Sequence, residues 1–265
     1  MKLLSPLTVG ALQLPNRVLM APLTRCRADA DHNPTPLMAE YYAQRASAGL
    51  IIAEATMVME GNSSFWMEPG IYSEAQVKGW KAVTDAVHAK GGQIVLQLWH
   101  GGRACHPLLN GGAQPVAPSA IPITGDEVHT PEGKKPYVTP RELRDDEIPG
   151  IVAGFKKAAE NAKAAGFDGV EIQFPYELPA LQLKEALARA GLPLPPVLFI
   201  TSTRDDRVHP GHARKFAARL QATGHPVLYY EETNGGHSND SDPLLNSARW
   251  ARHYVYLARS LGLGE

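Results

Sequence analysis

The sequence predicts an α/β protein in two pieces: half of a (β/α)8 barrel made of four strand–helix units, and then a shorter parallel α/β segment. Three observations carry this prediction. Short apolar runs alternate four times with amphipathic stretches across residues 1–174, the order that feeds a parallel sheet. The loops after the strands are longer and more irregular than those before them, as in barrels whose functional groups sit at the carboxyl ends of the strands. At residues 164–176 the pattern changes, because the fourth strand ends in Gln173, Phe174 and Pro175, none of them a usual proton-transfer group. The predicted divisions are a half-barrel over 1–174, a connector over 175–193 and a second segment over 194–265.

The totals exclude several classes. A chain of 265 residues can bury a sizeable core, and a net charge of -1 leaves no basic surplus for nucleic acid. No run approaches the ~18 consecutive apolar residues of a membrane span. Cys26 and Cys105 are too few for a disulfide framework, and the first ten residues carry no secretory cleavage pattern, which together predict a cytoplasmic protein.

In chain order, the apolar run 18–23 is closed by Pro22-Leu23 and predicts a buried first strand that opens into Thr24-Arg25-Cys26-Arg27. Thr35 as N-cap and Pro36 at the first helical position start a helix that is expected to run to Gly49. The second strand is 50–56. Ser73 with Gln76 three residues later forms a capping box, and Val77, Trp80, Val83 and Val87 give the apolar stripe of a second helix that ends at Gly91-Gly92. The third strand is 94–99. Seven prolines between 104 and 140, with no helical or strand period, predict a long loop over the carboxyl end of the sheet. A third helix over 148–165 then delivers the chain to the fourth strand, 169–172.

Thr24 and Gln97 are the informative polar residues, since each ends an otherwise apolar strand. A flat heteroaromatic ring with alternating donors and acceptors would satisfy a Gln amide and a Thr hydroxyl together. The alternative is that both side chains only satisfy nearby backbone.

Four stretches, Met20-Ala-Pro-Leu-Thr-Arg25, Ala48-Gly-Leu-Ile-Ile-Ala-Glu-Ala-Thr56, Leu96-Gln-Leu-Trp-His-Gly-Gly-Arg103 and Gly166-Phe-Asp-Gly-Val-Glu-Ile172, resemble in order and spacing the Old Yellow Enzyme family of FMN-dependent ene-reductases, which are TIM barrels. The resemblance covers residues 1–172. It implies FMN as cofactor, NADPH or NADH as reductant, and a small activated alkene as substrate. It further implies that Pro22, Leu23, Thr24, Ala55 and Gln97 bind the flavin, that Thr24 tunes its potential, and that Trp99 shapes the substrate pocket. His100 and Arg103 belong to the motif and are assigned structural roles. The sequence departs from the family after the fourth strand: Gln173 and Tyr176 stand where the family has its His and His/Asn pair, and Leu178 where it has a proton-donating Tyr. Tyr176 is the remaining candidate donor.

The second segment reads as strand, Asp loop, helix, strand, His loop, helix, which can bring an orienting carboxylate and a base to one end of a sheet. Thr201-Ser-Thr-Arg-Asp-Asp-Arg-Val208 and Gly235-Gly-His-Ser238 resemble the Asp and His segments of the prolyl oligopeptidase family, an α/β-hydrolase fold. That resemblance implies Asp205 as triad carboxylate, His237 as base and Arg207 as a substrate ligand. No G-x-S-x-G elbow occurs, so no nucleophilic serine is presented. No metal site is predicted.

Three functional readings follow: an FMN-dependent ene-reductase with an incomplete site, a hydrolase without its nucleophile, and an inactive hybrid of two fragments. Because a half-barrel leaves two strand edges unpaired, one mixed sheet formed by both pieces or a homodimer is expected to cover them.

Overall fold

The computed structural model describes residues 2–9, 11–173, 197–202, 214, 217–218, 220–222, 224 and 227–232. The chain divides into two compact units, Met1–Pro175 and Tyr176–Glu265. The connector helix expected over 181–190 and the last helix expected after 244 lie outside the described residues.

The first unit opens with an antiparallel hairpin that the sequence reading did not anticipate, β1 (Leu7–Val9) with β2 (Leu12–Leu14), in register Leu7 to Leu14. β3 (Leu19–Met20) is much shorter than the expected 18–23, and the chain through Pro22 to Thr24 is already irregular. Pro22 has no amide hydrogen to give a sheet neighbour. α1 (Pro36–Ala43) begins at Pro36 as expected, but the Thr35 hydroxyl does not cap it and donates to the Arg27 carbonyl at 2.7 Å. β4 (Leu50–Met57) follows, then α2 (Glu74–His88), whose Ser73/Gln76 capping box is fully formed. β5 (Ile94–Trp99) is buried along its whole length.

The stretch expected as one long loop, 104–140, contains β6 (Val116–Ala117) and the antiparallel hairpin of β7 (Glu127–Thr130) with β8 (Gly133–Pro136), and β9 (Arg141–Glu142), just after it, pairs with β6. α3 (Ile148–Ala164) leads to β10 (Gly169–Gln173).

The four parallel strands lie in the order β10-β5-β4-β3, each next to its neighbour in sequence, as consecutive barrel strands do. Strand alternation gives each face its own core. On the helix side, Ile94, Leu96 and Leu98 pack with Trp80, Val83, Val87, Phe155, Ala158 and Ala162. On the other side, Leu50 and Val95 pack on Leu14, with Leu7, Leu12 and Ile52 around them, so the N-terminal hairpin fills the end of that face nearest the amino ends of the strands. Gln97 and Trp99 continue the Val95 face toward the carboxyl ends, and Glu171 and Gln173 of β10 stand opposite them in register.

The outer strands leave apolar side chains uncovered among the described residues: Leu19 on β3 is 49% exposed, and Val170 and Ile172 on β10 are 38% and 43% exposed. β11 (Val197–Ser202) and β12 (Val227–Glu232) pair in parallel as a two-stranded sheet of their own. Around it, positions 214, 217–218 and 220–222 are helical, with Ala217 and Leu220 buried. Arg214 grips Glu231 through two hydrogen bonds, and the Tyr229 hydroxyl donates to the same carboxylate at 2.7 Å. Among the described residues no helix is long and apolar enough to cross a membrane.

Three residues other than glycine have left-handed backbone: Cys26 (φ 53), His32 (φ 62) and Met67 (φ 61). All three lie on the loops that follow β3 and β4.

Candidate active site at the carboxyl ends of the strands

Apolar strands that end in polar residues place Thr24 after β3, Ala55 near the end of β4 and Gln97 and Trp99 at the end of β5, on three consecutive strands. Pro22 and Thr24 are half-buried and Leu23 is exposed, while Ala55, Gln97 and Trp99 are buried. Gln97 does not satisfy backbone. Its amide nitrogen donates to the Glu171 carboxylate at 2.6 Å, across the β5–β10 pairing. That leaves the Gln97 carbonyl oxygen, like the Thr24 hydroxyl, with no hydrogen-bond partner among the described residues.

β4 carries a bulge here. Between the pairs Ala53–Leu96 and Thr56–Leu98, three steps along β4 match two along β5. Such an insertion re-aims side chains. Within it Glu54 accepts from the Tyr42 hydroxyl at 2.9 Å and from the Arg25 amide at 3.0 Å, and the Glu54 amide donates back to the Tyr42 oxygen at 2.9 Å. The fully buried Glu54 thereby ties the loop carrying Thr24 to β4 and α1. Burial raises its pKa, against the opposing pull of the Arg25 amide and the Tyr42 hydroxyl. The sequence reading missed this role, although an acid inside an otherwise apolar strand is a visible signal.

Glu68 is the second missed carboxylate. It is fully buried on the loop after β4, where one oxygen accepts from the amides of Ser64 at 2.5 Å and Phe65 at 3.0 Å. The other accepts from the Trp99 indole at 3.0 Å. Phe65 stacks on Trp99, with ring centroids 5.6 Å apart and planes 22° apart. The same loop is latched to the one after β5: the Asn62 side chain accepts from Gly101, Asn110 bonds Ser63 in both directions, and Ser64 lies 3.5 Å from the Cys105 sulfur. Cys26 and Cys105 are both free thiols, and burial pushes the Cys105 thiol up to about 12. His100 is buried and neutral, with its Nδ1 accepting from the Gly102 amide at 3.0 Å, and burial lowers its pKa to about 4.

These two buried groups bend the pH–stability curve in opposite directions. Burial raises Glu68 from 4.5 to about 7. Its contribution is therefore complete below pH 4.5 and is lost as the pH climbs to 7, amounting to about 3 kcal/mol. His100, lowered from 6.5, contributes stability that is present above that pH and lost as the pH falls to about 4. Denaturant unfolding of Glu68→Gln beside the native protein isolates the first term: the difference is expected to move by about 3 kcal/mol in the variant's favour between pH 4.5 and 7. A constant difference would mean that Glu68 titrates normally.

Tyr176, Asp205, Arg207 and His237 lie outside the described residues. Among those described, no cluster of His, Cys, Asp or Glu could hold a metal ion.

The chain is 49% identical over 175 residues to a probable flavin mononucleotide-dependent alkene reductase of Leishmania infantum, covering 64% of this chain and 48% of the relative. The chain spans about half the length of the curated relatives it matches. Among solved structures, morphinone reductase in complex with tetrahydroNAD is 53% identical with a TM-score of 0.62, over 65% of this chain and 49% of that one. The old yellow enzyme homologue of Zymomonas mobilis is 36% identical with a TM-score of 0.72, over 91% and 77%. Residues 171–264 match the prolyl oligopeptidase family model. Residues 2–174, which hold every described strand end discussed above, match the NADH:flavin oxidoreductase / NADH oxidase family, and the chain belongs to that family.

Proposed function

We propose that the first unit is the amino-terminal half of an FMN-dependent ene-reductase site, taking electrons from NADPH or NADH and delivering them to a small activated alkene. The observation that carries this reading is a pair of polar groups with no hydrogen-bond partner among the described residues, the Thr24 hydroxyl just after β3 and the Gln97 carbonyl oxygen on β5, with β4 and its small Ala55 between those two strands. A flat ring with donors and acceptors on its edge fits that set, with Gln97 accepting from a ring N–H and Thr24 donating to a ring acceptor. Pro22 and Leu23 would supply apolar contact at its border. When bound, FMN would supply a ring able to take a hydride from the nicotinamide and pass it to one alkene carbon, the other carbon taking a proton from Tyr176 or from water. Trp99 walls the pocket where the alkene docks, and Glu171 takes the Gln97 amide nitrogen, which leaves the carbonyl oxygen for the ring.

The test is retention of flavin. Protein mixed with FMN and gel-filtered is expected to keep a perturbed flavin spectrum, and Gln97→Ala is expected to weaken binding about tenfold, the worth of one well-made hydrogen bond. Thr24→Ala is expected to shift the flavin's reduction potential. A colourless protein peak would overturn the reading and leave an inactive hybrid.

The second unit is read as the closing strands of an α/β-hydrolase sheet, supported by the parallel β11–β12 pair and by the family match over 171–264. Without a nucleophile elbow it is assigned no hydrolysis. The exposed Leu19, Val170 and Ile172 at the two sheet edges support a homodimer, which size-exclusion chromatography reads directly.

A further inference from the structure

A tryptophan side chain is fixed only when something holds its second torsion, since that rotation is broad for a ring on a methylene. Here two contacts do so, and both come from the loop after β4. Phe65 stacks on one face of the Trp99 indole, and the Glu68 carboxylate takes the indole N–H at 3.0 Å. The other Glu68 oxygen takes the Ser64 and Phe65 amides, so one carboxylate joins the ring to the backbone that carries its stacking partner. Glu68 is fully buried and is not exposed to a docked substrate. A buried carboxylate is costly to keep unless its hydrogen bonds accomplish something that an apolar side chain could not.

We infer that Glu68 is a positioning residue: it locks the Phe65–Trp99 stack and thereby sets which face of an alkene the pocket wall admits. The second half of this inference rests on the ene-reductase reading; the first half does not. Glu68→Gln separates the two duties of the carboxylate. Glutamine has one acceptor oxygen, which the two backbone amides claim, and its NH2 is then turned toward the indole N–H, donor against donor. The loop keeps its anchor and the indole loses its own.

The experiment uses the full chain with uniform 15N labelling. The Trp99 indole resonance is identified by its disappearance in Trp99→Phe. In Glu68→Gln it is expected to move upfield and to exchange with solvent at least about tenfold faster, the equivalent of one lost hydrogen bond. A Trp99 signal with unchanged shift and exchange overturns the inference, whatever the flavin does. The second readout is the ratio of product enantiomers from a prochiral 2-cyclohexenone on FMN-loaded protein. It is expected to change at least about fivefold in Glu68→Gln and to the same extent in Trp99→Phe, with no further change in the double variant, as coupled residues require. A responsive indole with an unchanged ratio overturns the role in selectivity. A responsive indole in a protein that holds no flavin upholds the grip of Glu68 on Trp99 and overturns the ene-reductase reading instead.

Discussion

Gly101→Ala is expected to destabilise the first unit by about 2–3 kcal/mol and to spring the loop after β4 away from the loop after β5. A Cβ at this position would lie 1.9 Å from the Ser64 hydroxyl, 2.6 Å from the Cys105 sulfur and 2.8 Å from the Asn62 carbonyl. The first of these can rotate away, but the sulfur is buried and the carbonyl is backbone. Relief therefore requires movement of the 62–64 segment, whose Ser64 amide is bonded to Glu68. The damage should pass from Gly101 through Ser64 and Glu68 to Trp99. Urea unfolding followed by far-UV circular dichroism measures the loss. Gly150→Ala is the control: in α3 an added Cβ meets nothing within 4 Å, and alanine's better helix propensity should stabilise by about 0.5–1 kcal/mol. Equal effects from the two variants would show that the close approach at Gly101 is not what holds the loops together.

Trp80→Ala should cost more, about 3–5 kcal/mol, the range for deleting a large aromatic from a core. The side chain is fully buried, its ring lies 5.3 Å from Phe167 and 6.3 Å from Tyr42, and its indole donates to the Gly70 carbonyl at 3.0 Å. Truncation empties the junction of α1, α2 and the turn before β10. Trp80→Phe keeps most of the volume but leaves the Gly70 carbonyl without its donor, a penalty of about 1–3 kcal/mol. The ordering native, Phe, Ala in chemical unfolding checks the account. If the two variants were equally unstable, the lost hydrogen bond would account for the whole effect and packing for none.

Local signals in the sequence located the elements that position the site. The Ser73/Gln76 box marked the start of α2 to the residue, and the stripe through Trp80, Val83 and Val87 identified its buried face. The apolar run 94–99 marked β5 and put Gln97 near its carboxyl end. What escaped notice depended on partners distant in the chain. Glu54 acquires its role from Tyr42, 12 residues away, and from Arg25, 29 residues away; Glu68 acquires its role from Trp99, 31 residues away. No periodicity encodes such pairings. The hairpin of β7 and β8 escaped for another reason: each strand has four residues, β7 puts a single apolar side chain, Val128, beside Thr130 on its buried face, and β8 is largely exposed, so the apolar alternation that reveals a half-buried strand is too short to see. Thr35 has the residue type of a cap and the wrong hydrogen bond, because the Arg27 carbonyl offers its hydroxyl a competing acceptor.

The left-handed backbone of Cys26, His32 and Met67 has a bearing on how the molecule can be improved. A side chain in that region costs about 1 kcal/mol or more relative to glycine, and such strain persists only where the surroundings impose it. All three residues stand at the end of the sheet that carries Thr24, Gln97 and Trp99. A search for stabilising substitutions guided by energy alone would be drawn to these positions first. It would soften the loops that carry the polar groups while making the protein harder to unfold, so thermostability would be gained at the expense of the shape of that end of the sheet.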